Sequence, residues 1–246
     1  MTRLVALGAT LIVLTVAVPA QAATPFGTTP CPGVRPGAPM EAPASISYTI
    51  GFLLKGKDAK GKTANYITTV GNFVFTTFGT KTWKPGTGPD ARDGGGKKFG
   101  RFVWAAHTDM PAYTSFGLIL VDPKVKVSGQ VCHFGGPTGL YEGTGVAPVV
   151  IEYYGNGAAA QTISPARSAL ATGTDNATNA VSQGLWAPGD DGAPVLAGGA
   201  ALGYYDGGVG GGSNGAGFVV SRLDQWIARA GKALKVKLTL VTGGTL

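Results

Sequence analysis

From Ser45 onward the chain is written in short β-branched and aromatic runs broken by glycine, and one stretch near the C-terminus repeats with a helical period. "SISYTIGFLL" (Ser45–Leu54) leads into "KGKDAKGK", a hairpin tip, and "TANYITTVGNFVFTTFG" is the return. "RFVWAAHT", "FGLILVD", "VKVSGQVCHFG", "GLYEGTG", "APVVIEYYG", "APVLAGGAALGYYDGG" and "GAGFVVS" continue the pattern, while residues 158–184 are rich in Ala, Thr, Ser and Asn and fit no element. Glycine supplies 41 of 246 residues and charged residues are 13%, against usual shares of about 7% and about 25%. That composition excludes a helical bundle and suits strands joined by tight turns. About twelve strands with no βαβ alternation argue for a sandwich or barrel.

The helix is expected over residues 221–231. Ser221 can cap it, with Asp224 three residues on in a capping-box-like arrangement. Leu223, Trp226, Ile227 and Ala230 share one face, and Gly231 ends it. "ALKVKLTLV" is a last extended stretch.

The N-terminus reads as a targeting segment. Arg3 precedes an uncharged apolar run, Leu4 to Val18, and Ala20-Gln21-Ala22 has the small-residue form of a cleavage site. Residues 1–22 are therefore expected to be a signal peptide, with cleavage near Ala22 and a secreted or envelope location. The run is short for a membrane span, and no later stretch is apolar enough for stable insertion. Cys31 lies away from the cleavage point, which argues against a lipid anchor. Residues 23–44 hold six prolines and read as an extended tail.

The formal charge is +7. Lys55, Lys57, Lys60 and Lys62 form one loose cluster, and Lys97, Lys98 and Arg101 another. They read either as solvated loop tips or as an attraction to acidic envelope polymers. Without interleaved aromatics they do not read as a nucleic-acid surface. Cys31 and Cys132 are an even pair, which an exported chain would join as a disulfide or carry as two thiols.

Three segments in order resemble the trypsin-like, chymotrypsin-fold serine proteases, in their secreted bacterial and mycobacterial branch. "YITTVGNF" (Tyr66–Phe73) is similar to the family's strand ending in Thr-Ala-Gly-His-Cys. "SFGLILVD" (Ser115–Asp122) is similar to the segment that opens with the family's aspartate. "PGDDGAPV" (Pro188–Val195) is similar to Pro-Gly-Asp-Ser-Gly-Gly-Pro-Val. "QVCHFGGPTGLYEG" (Gln130–Gly143) resembles a cysteine-containing hairpin of the bacterial branch, and the terminal helix also matches. The resemblance covers roughly residues 46–242. It implies an all-β fold of two packed six-stranded antiparallel barrels with a C-terminal helix. The first barrel is expected at 45–125 and the second, with the helix, at 126–246.

The resemblance also implies where the catalytic residues should stand, and all three are substituted. The general-base histidine falls on Asn72, the orienting aspartate on Ser115 and the nucleophilic serine on Asp191. Asp122 or Asp109 are other candidates for the orienting role. Serine attacks only if a neighbouring base takes its proton and a carboxylate orients that base. Asparagine accepts no proton near neutral pH. A carboxylate at Asp191 brings negative charge to the oxyanion-hole-like turn Gly189-Asp190-Asp191, where substrate should develop it. The family's first-barrel disulfide falls on Tyr48 and Phe73, which could fill its space as an apolar pair. The hairpin partner of Cys132 falls on Glu142, leaving Cys132 for Cys31.

Other chemistries are weaker. His107 lies near no nucleophile motif and reads as structural. Cys132 and His133 are strand neighbours and point to opposite faces. Asp190 and Asp191, adjacent in one turn, rarely converge on a substrate, and no spacing supports a metal site with His107. Asn176-Ala177-Thr178 reads as a polar loop. Gly207–Gly217 has no phosphate-loop lysine and reads as a pocket rim. Trp83, Trp104 and Trp186 read as core. The expectation is a secreted, catalytically inactive protease homologue without cofactor or metal, binding a peptide, a protein or an acidic envelope polymer. The alternative is an active secreted hydrolase, which would need a serine near His107 and a carboxylate behind it; Ser115 and Asp122 are the candidates.

Overall fold

The computed structural model describes residues 31–42, 46–58, 60–74, 77–108, 114–132, 135–141, 149–153, 167–173, 178–181, 189–208 and 218–243. The strands of the first half are β1 (Pro39–Ala42), β2 (Ile46–Thr49), β3 (Leu53–Asp58), β4 (Thr63–Thr69), β5 (Gly79–Thr82), β6 (Asp90–Asp93), β7 (Lys98–Thr108) and β8 (Thr114–Val121). Those of the second are β9 (Val149–Tyr153), β10 (Arg167–Gly173), β11 (Thr178–Val181), β12 (Pro194–Ala197), β13 (Ala200–Gly208) and β14 (Phe218–Arg222). Helix α1 (Leu223–Leu234) and strand β15 (Val236–Leu240) complete the chain.

Two antiparallel sheets result. The second half closes into a six-stranded barrel in the order β10-β11-β14-β13-β12-β9. The first curls as β15-β3-β4-β8-β7-β6-β1-β2, with β5 also paired to β7. The expected all-β architecture with a C-terminal helix is present. The first sheet reaches nine strands because the tail contributes β1 and the last segment of the chain returns to it. Thus β15 pairs with β3 from Val236↔Asp58 to Leu240↔Leu54, away from the second barrel it follows in sequence.

Within the proline-rich stretch, the described residues 31–42 pack into the fold. Val34, Ala38 and Met40 are buried, Val34 bridges Val127, and Cys132 N–H donates to Pro36 O at 2.9 Å. Cys31 and Cys132 form a disulfide, with Cα atoms 5.9 Å apart. "SISYTIGFLL" divides into β2 and β3 at Ile50–Phe52, where the chain passes from β2 at one edge of the sheet to β3, which lies beside the strand at the other edge.

The helix starts and stops later than its sequence suggests. Arg222 holds the N-cap without a side-chain cap bond, and Ser221 lies in β14 opposite Tyr204, its hydroxyl committed elsewhere. Asp224 instead receives Arg222 at 2.9 Å in the first turn. Gly231 is inside the last turn, because a Cβ there would approach Val236 O to 2.8 Å as the chain folds back. The stop is Lys235, left-handed at φ 55°, whose N–H reaches Gly231 O and Lys232 O. Trp226 stacks on Phe116, centroids 5.8 Å apart, and lies 6.0 Å from Trp104. Phe116 meets Tyr204 of the second barrel edge-on at 5.6 Å, so one aromatic cluster joins helix and both sheets.

Candidate functional site

The segment after β4, the start of β8 and the turn before β12 meet between the two sheets. At their centre is Ser115, fully buried at the first positions of β8. Its Oγ accepts the backbone N–H of Gly71 at 2.8 Å and that of Asn72 at 2.6 Å. Its own N–H donates to Asp206 Oδ2 at 2.6 Å. The same Oδ2 accepts the hydroxyl of Ser221 at 2.6 Å. Asp206, from β13, is thus a buried carboxylate in direct hydrogen-bond contact with position 115. The other candidates do not: Asp122 is at the far end of β8 beside a surface turn, and Asp109 lies outside the described residues.

The turn Gly189-Asp190-Asp191 is locked to the first sheet. Thr49 N–H donates to Asp191 O at 3.0 Å, and its hydroxyl donates to Gly189 O at 2.7 Å. Thr69 Oγ1 in turn donates to Thr49 O at 3.1 Å. Gly192 follows at φ 89°, and a Cβ there would come within 2.4 Å of Thr49 O, so only glycine allows this approach. Asp190 is fully buried while Asp191 is half-buried.

The electrostatics of this centre are unusual. Burial, with Asp190 beside it, pushes the Asp191 carboxyl up to about 7. Burial also lifts Asp206 well above the usual carboxylate range; the bonds from Ser221 and Ser115 oppose this, and Asp191 adds to it. The Tyr48 hydroxyl is raised by burial and by the nearby Asp191 charge. Asp191 is thus close enough to influence Asp206 and Tyr48, which flank the Asn72–Ser115 pair. Asn72, Ser115 and Asp191, three separate positions in sequence, belong to one neighbourhood.

Beside Asn72 the rings of Tyr48 and Phe73 stack, with centroids 3.5 Å apart and planes 20° from parallel. The positions onto which the resemblance maps a disulfide hold an aromatic pair instead. His107, on β7, is the cross-strand partner of Ser115 and is buried against the ring of Phe78, 4.9 Å away. Directly opposite residues present side chains on the same face, so His107 and Ser115 are cross-strand neighbours on one face of the sheet. Among the described residues no group of three or more His, Cys, Asp or Glu could hold a metal. Residues 1–30, Asp109, His133, Glu142, Asn176, Trp186 and most of Gly207–Gly217 lie outside the described residues.

Sequence reasoning missed Asp206. The signal was "LGYYDGG", a lone acid closing an apolar strand run; a carboxylate on a buried strand must find hydrogen-bond donors.

Solved structures similar to this chain include serine proteases. A glutamic-acid-specific serine protease that uses a histidine triad in substrate binding is 18% identical, with a TM-score of 0.54, covering 85% of this chain and 100% of that one. Nocardiopsis protease is 15% identical at TM-score 0.54, covering 85% and 99%. Cellulomonas bogoriensis chymotrypsin is 18% identical at 0.53, covering 85% and 98%. The fold is chymotrypsin-like. No family model matches the sequence, and no curated protein does. Among the described residues no helix is long and apolar enough to cross a membrane.

Proposed function

We propose that this chymotrypsin-like chain is a catalytically inactive protease homologue that is exported and acts by binding a peptide or protein. One observation carries the reading. Ser115 is fully buried, and its Oγ accepts two backbone N–H groups. A nucleophile needs an exposed oxygen and a base poised to take its proton. Asn72 supplies no such base. Asp191 adds a carboxylate of its own where an oxyanion would form, and carboxylates are weak nucleophiles toward amides. An edge strand of the first sheet could take an extended peptide as an added strand.

A second reading has support of its own. His107 faces Ser115 across β7 and β8, with Asp206 bonded to the Ser115 backbone. Acyl transfer by that set would require Ser115 to leave its two donors and reach solvent. Hydrolysis of a broad peptide and ester library by the purified chain, beside Asp191→Ala and His107→Ala variants, separates the two. Turnover no higher than in the variants supports binding. Turnover lost in His107→Ala overturns it.

A further inference from the structure

We propose that the helix-bearing face of the first sheet, beyond the end of α1, holds a trough that binds one long-chain fatty acid as its carboxylate. The trough measures about 490 Å³, within the ~300–1,000 Å³ usual for small-molecule sites. It crosses six neighbouring strands, touching Val236 of β15, Asp58 of β3, Tyr66 of β4, Leu120 of β8, Val103 of β7 and Thr82 of β5. The registers put β15, β3, β4 and β8 on one face here. Val236 opposes Asp58, Gly56 opposes Ala64, and Tyr66 opposes Leu120. Phe116 shares that face of β8 with Leu120, and Trp226 of α1 stacks on it. The helix thus covers one part of the face, and its last residues, Ala233 and Leu234, wall the part left open. Neighbouring strands lie about 4.8 Å apart, so the path across them is roughly 20 Å long. A volume of about 490 Å³ spread along that length leaves a channel about one hydrocarbon chain wide.

The floor is apolar and recessed. Tyr66 and Val103 are buried, and Trp83, Leu120, Leu234 and Val236 are half-buried. Its depth depends on two small residues. A Cβ at Gly56 would clash with the Tyr66 ring, so glycine lets that ring lie across β3. Ala64, opposite Gly56, presents only a methyl group to the trough. The wall at the β5 end is fixed by backbone bonds. Trp83 N–H donates to Val103 O at 2.9 Å, and Lys84 O accepts Thr87 N–H at 3.0 Å. A site held in place this way loses little freedom when it binds.

Charge selects the head group. The charged residues of the lining are Asp58, Lys62 and Lys84. Asp58 N–H donates to Lys62 O at 3.0 Å, and Lys62 N–H donates to Asp58 Oδ1 at 2.9 Å, which fixes the turn that carries Lys62. The ion pairs among the described residues are made by Asp90 and Asp224, and neither lysine of the trough takes part in them. Lys62 also borders an adjoining hollow together with Gly86, two residues beyond Lys84, so the two lysines stand along one rim. Two ammonium groups against one carboxylate leave one positive charge in excess. That excess matches a single carboxylate at the end of an apolar chain. A polyanion would lay its remaining charges against Tyr66, Trp83 and Leu120, and a compact aromatic acid would fill only one end of the path.

The test is calorimetric titration of the purified chain with laurate, kept below the concentration at which it forms micelles. Shorter fatty acids, 1-dodecanol, 2-naphthoate and phosphatidylglycerol vesicles are run beside it. Ala64→Leu fills the trough. Lys62→Gln/Lys84→Gln removes the rim charge, and Lys57→Gln/Lys237→Gln removes equal charge from exposed positions of the opposite face. Laurate should bind one to one, and each two methylenes removed should weaken it several-fold. Ala64→Leu should weaken it at least about tenfold, since a filled channel cannot bury the chain. The rim variant should weaken laurate about fivefold and leave 1-dodecanol unchanged, while the opposite-face variant stays close to the parent. If Ala64→Leu does not fold, the rim variant and the chain-length series still decide. The proposal is overturned by absence of one-to-one binding, by indifference to chain length, or by a folded Ala64→Leu chain that binds like the parent. Equal losses in the two lysine variants, or tighter binding of 2-naphthoate or vesicles, also overturn it.

Discussion

Two sites flank Asn72, and they replace what the protease resemblance expects in opposite ways. On one side, Tyr48 and Phe73 meet where a disulfide is implied, and the replacement is apolar: two stacked rings. On the other, Ser115, Asp206 and Ser221 meet where the orienting aspartate is implied, and the replacement is polar. The difference follows from what each site must satisfy. A disulfide contributes shape and a chain constraint, so packed aromatic area can take its place. The backbone N–H groups of Gly71 and Asn72 point into a buried space and need an acceptor whatever else changes. Ser115 Oγ accepts both, and Asp206 then accepts Ser115 N–H. The chain constraint itself appears elsewhere, as Cys31–Cys132.

The largest expected effect lies in that relocated constraint. The Cys31–Cys132 bond spans 101 residues of sequence, and a loop of that size contributes about 4–5 kcal/mol in the chain-entropy view. Cys31→Ser/Cys132→Ser should lose a stability of that order in urea denaturation. A loss below about 1 kcal/mol would mean that the Tyr48–Phe73 side already holds the tail.

The polar side comes next. Asp206→Ala strands the Ser115 N–H and the Ser221 hydroxyl, both buried, and should cost about 2–4 kcal/mol. Asp206→Asn keeps an acceptor of the same shape and should cost far less, because burial already favours the uncharged carboxyl. Equal losses in the two variants would show that charge, and not acceptor geometry, is what the site requires.

The apolar side should be smaller and pairwise. Tyr48→Ala removes a buried ring and should cost about 3 kcal/mol. A double-mutant cycle with Phe73→Ala should show coupling of about 0.5–1.5 kcal/mol. Zero coupling would separate the two rings and reduce the comparison to coincidence of position.

A further effect is a pH dependence. The Asp191 carboxyl lies at about 7 when folded, against 3.8 as its ordinary value. The folded chain therefore holds a proton there that the unfolded chain has released. That contribution is complete below about pH 4 and is lost as pH rises through 7. Asp191→Asn should flatten this fall, so its Tm should change less than the parent's between pH 5 and pH 8. A steeper fall in the variant would contradict the assignment.

Much of this was legible in local sequence. Glycine-punctuated β-branched runs gave the sheets, and Gly71-Asn72 and Gly189-Asp190-Asp191 marked the two loops that meet between them. What was not legible depended on distant partners. Ser221 has the form of a helix cap, but its hydroxyl is claimed by Asp206 across the β13–β14 pair, so the helix begins without it. Gly231 has the form of a stop, but it is required by the close return of Val236. The pairing of β15 with β3 joins residues far apart in sequence, and no periodicity in either strand announces its partner. Asp206 went unassigned for the same reason: its role exists only once β8, β13 and β14 converge.

The most direct measurement treats the protein with a fluorophosphonate, which reacts with activated serines, and maps any adduct by mass spectrometry. The account predicts no adduct on Ser115 under conditions that label a competent serine protease fully, because Ser115 Oγ is buried and already accepts two N–H groups. A stoichiometric adduct on Ser115 that disappears in His107→Ala would contradict it and make the cross-strand pair of His107 and Ser115 an active centre.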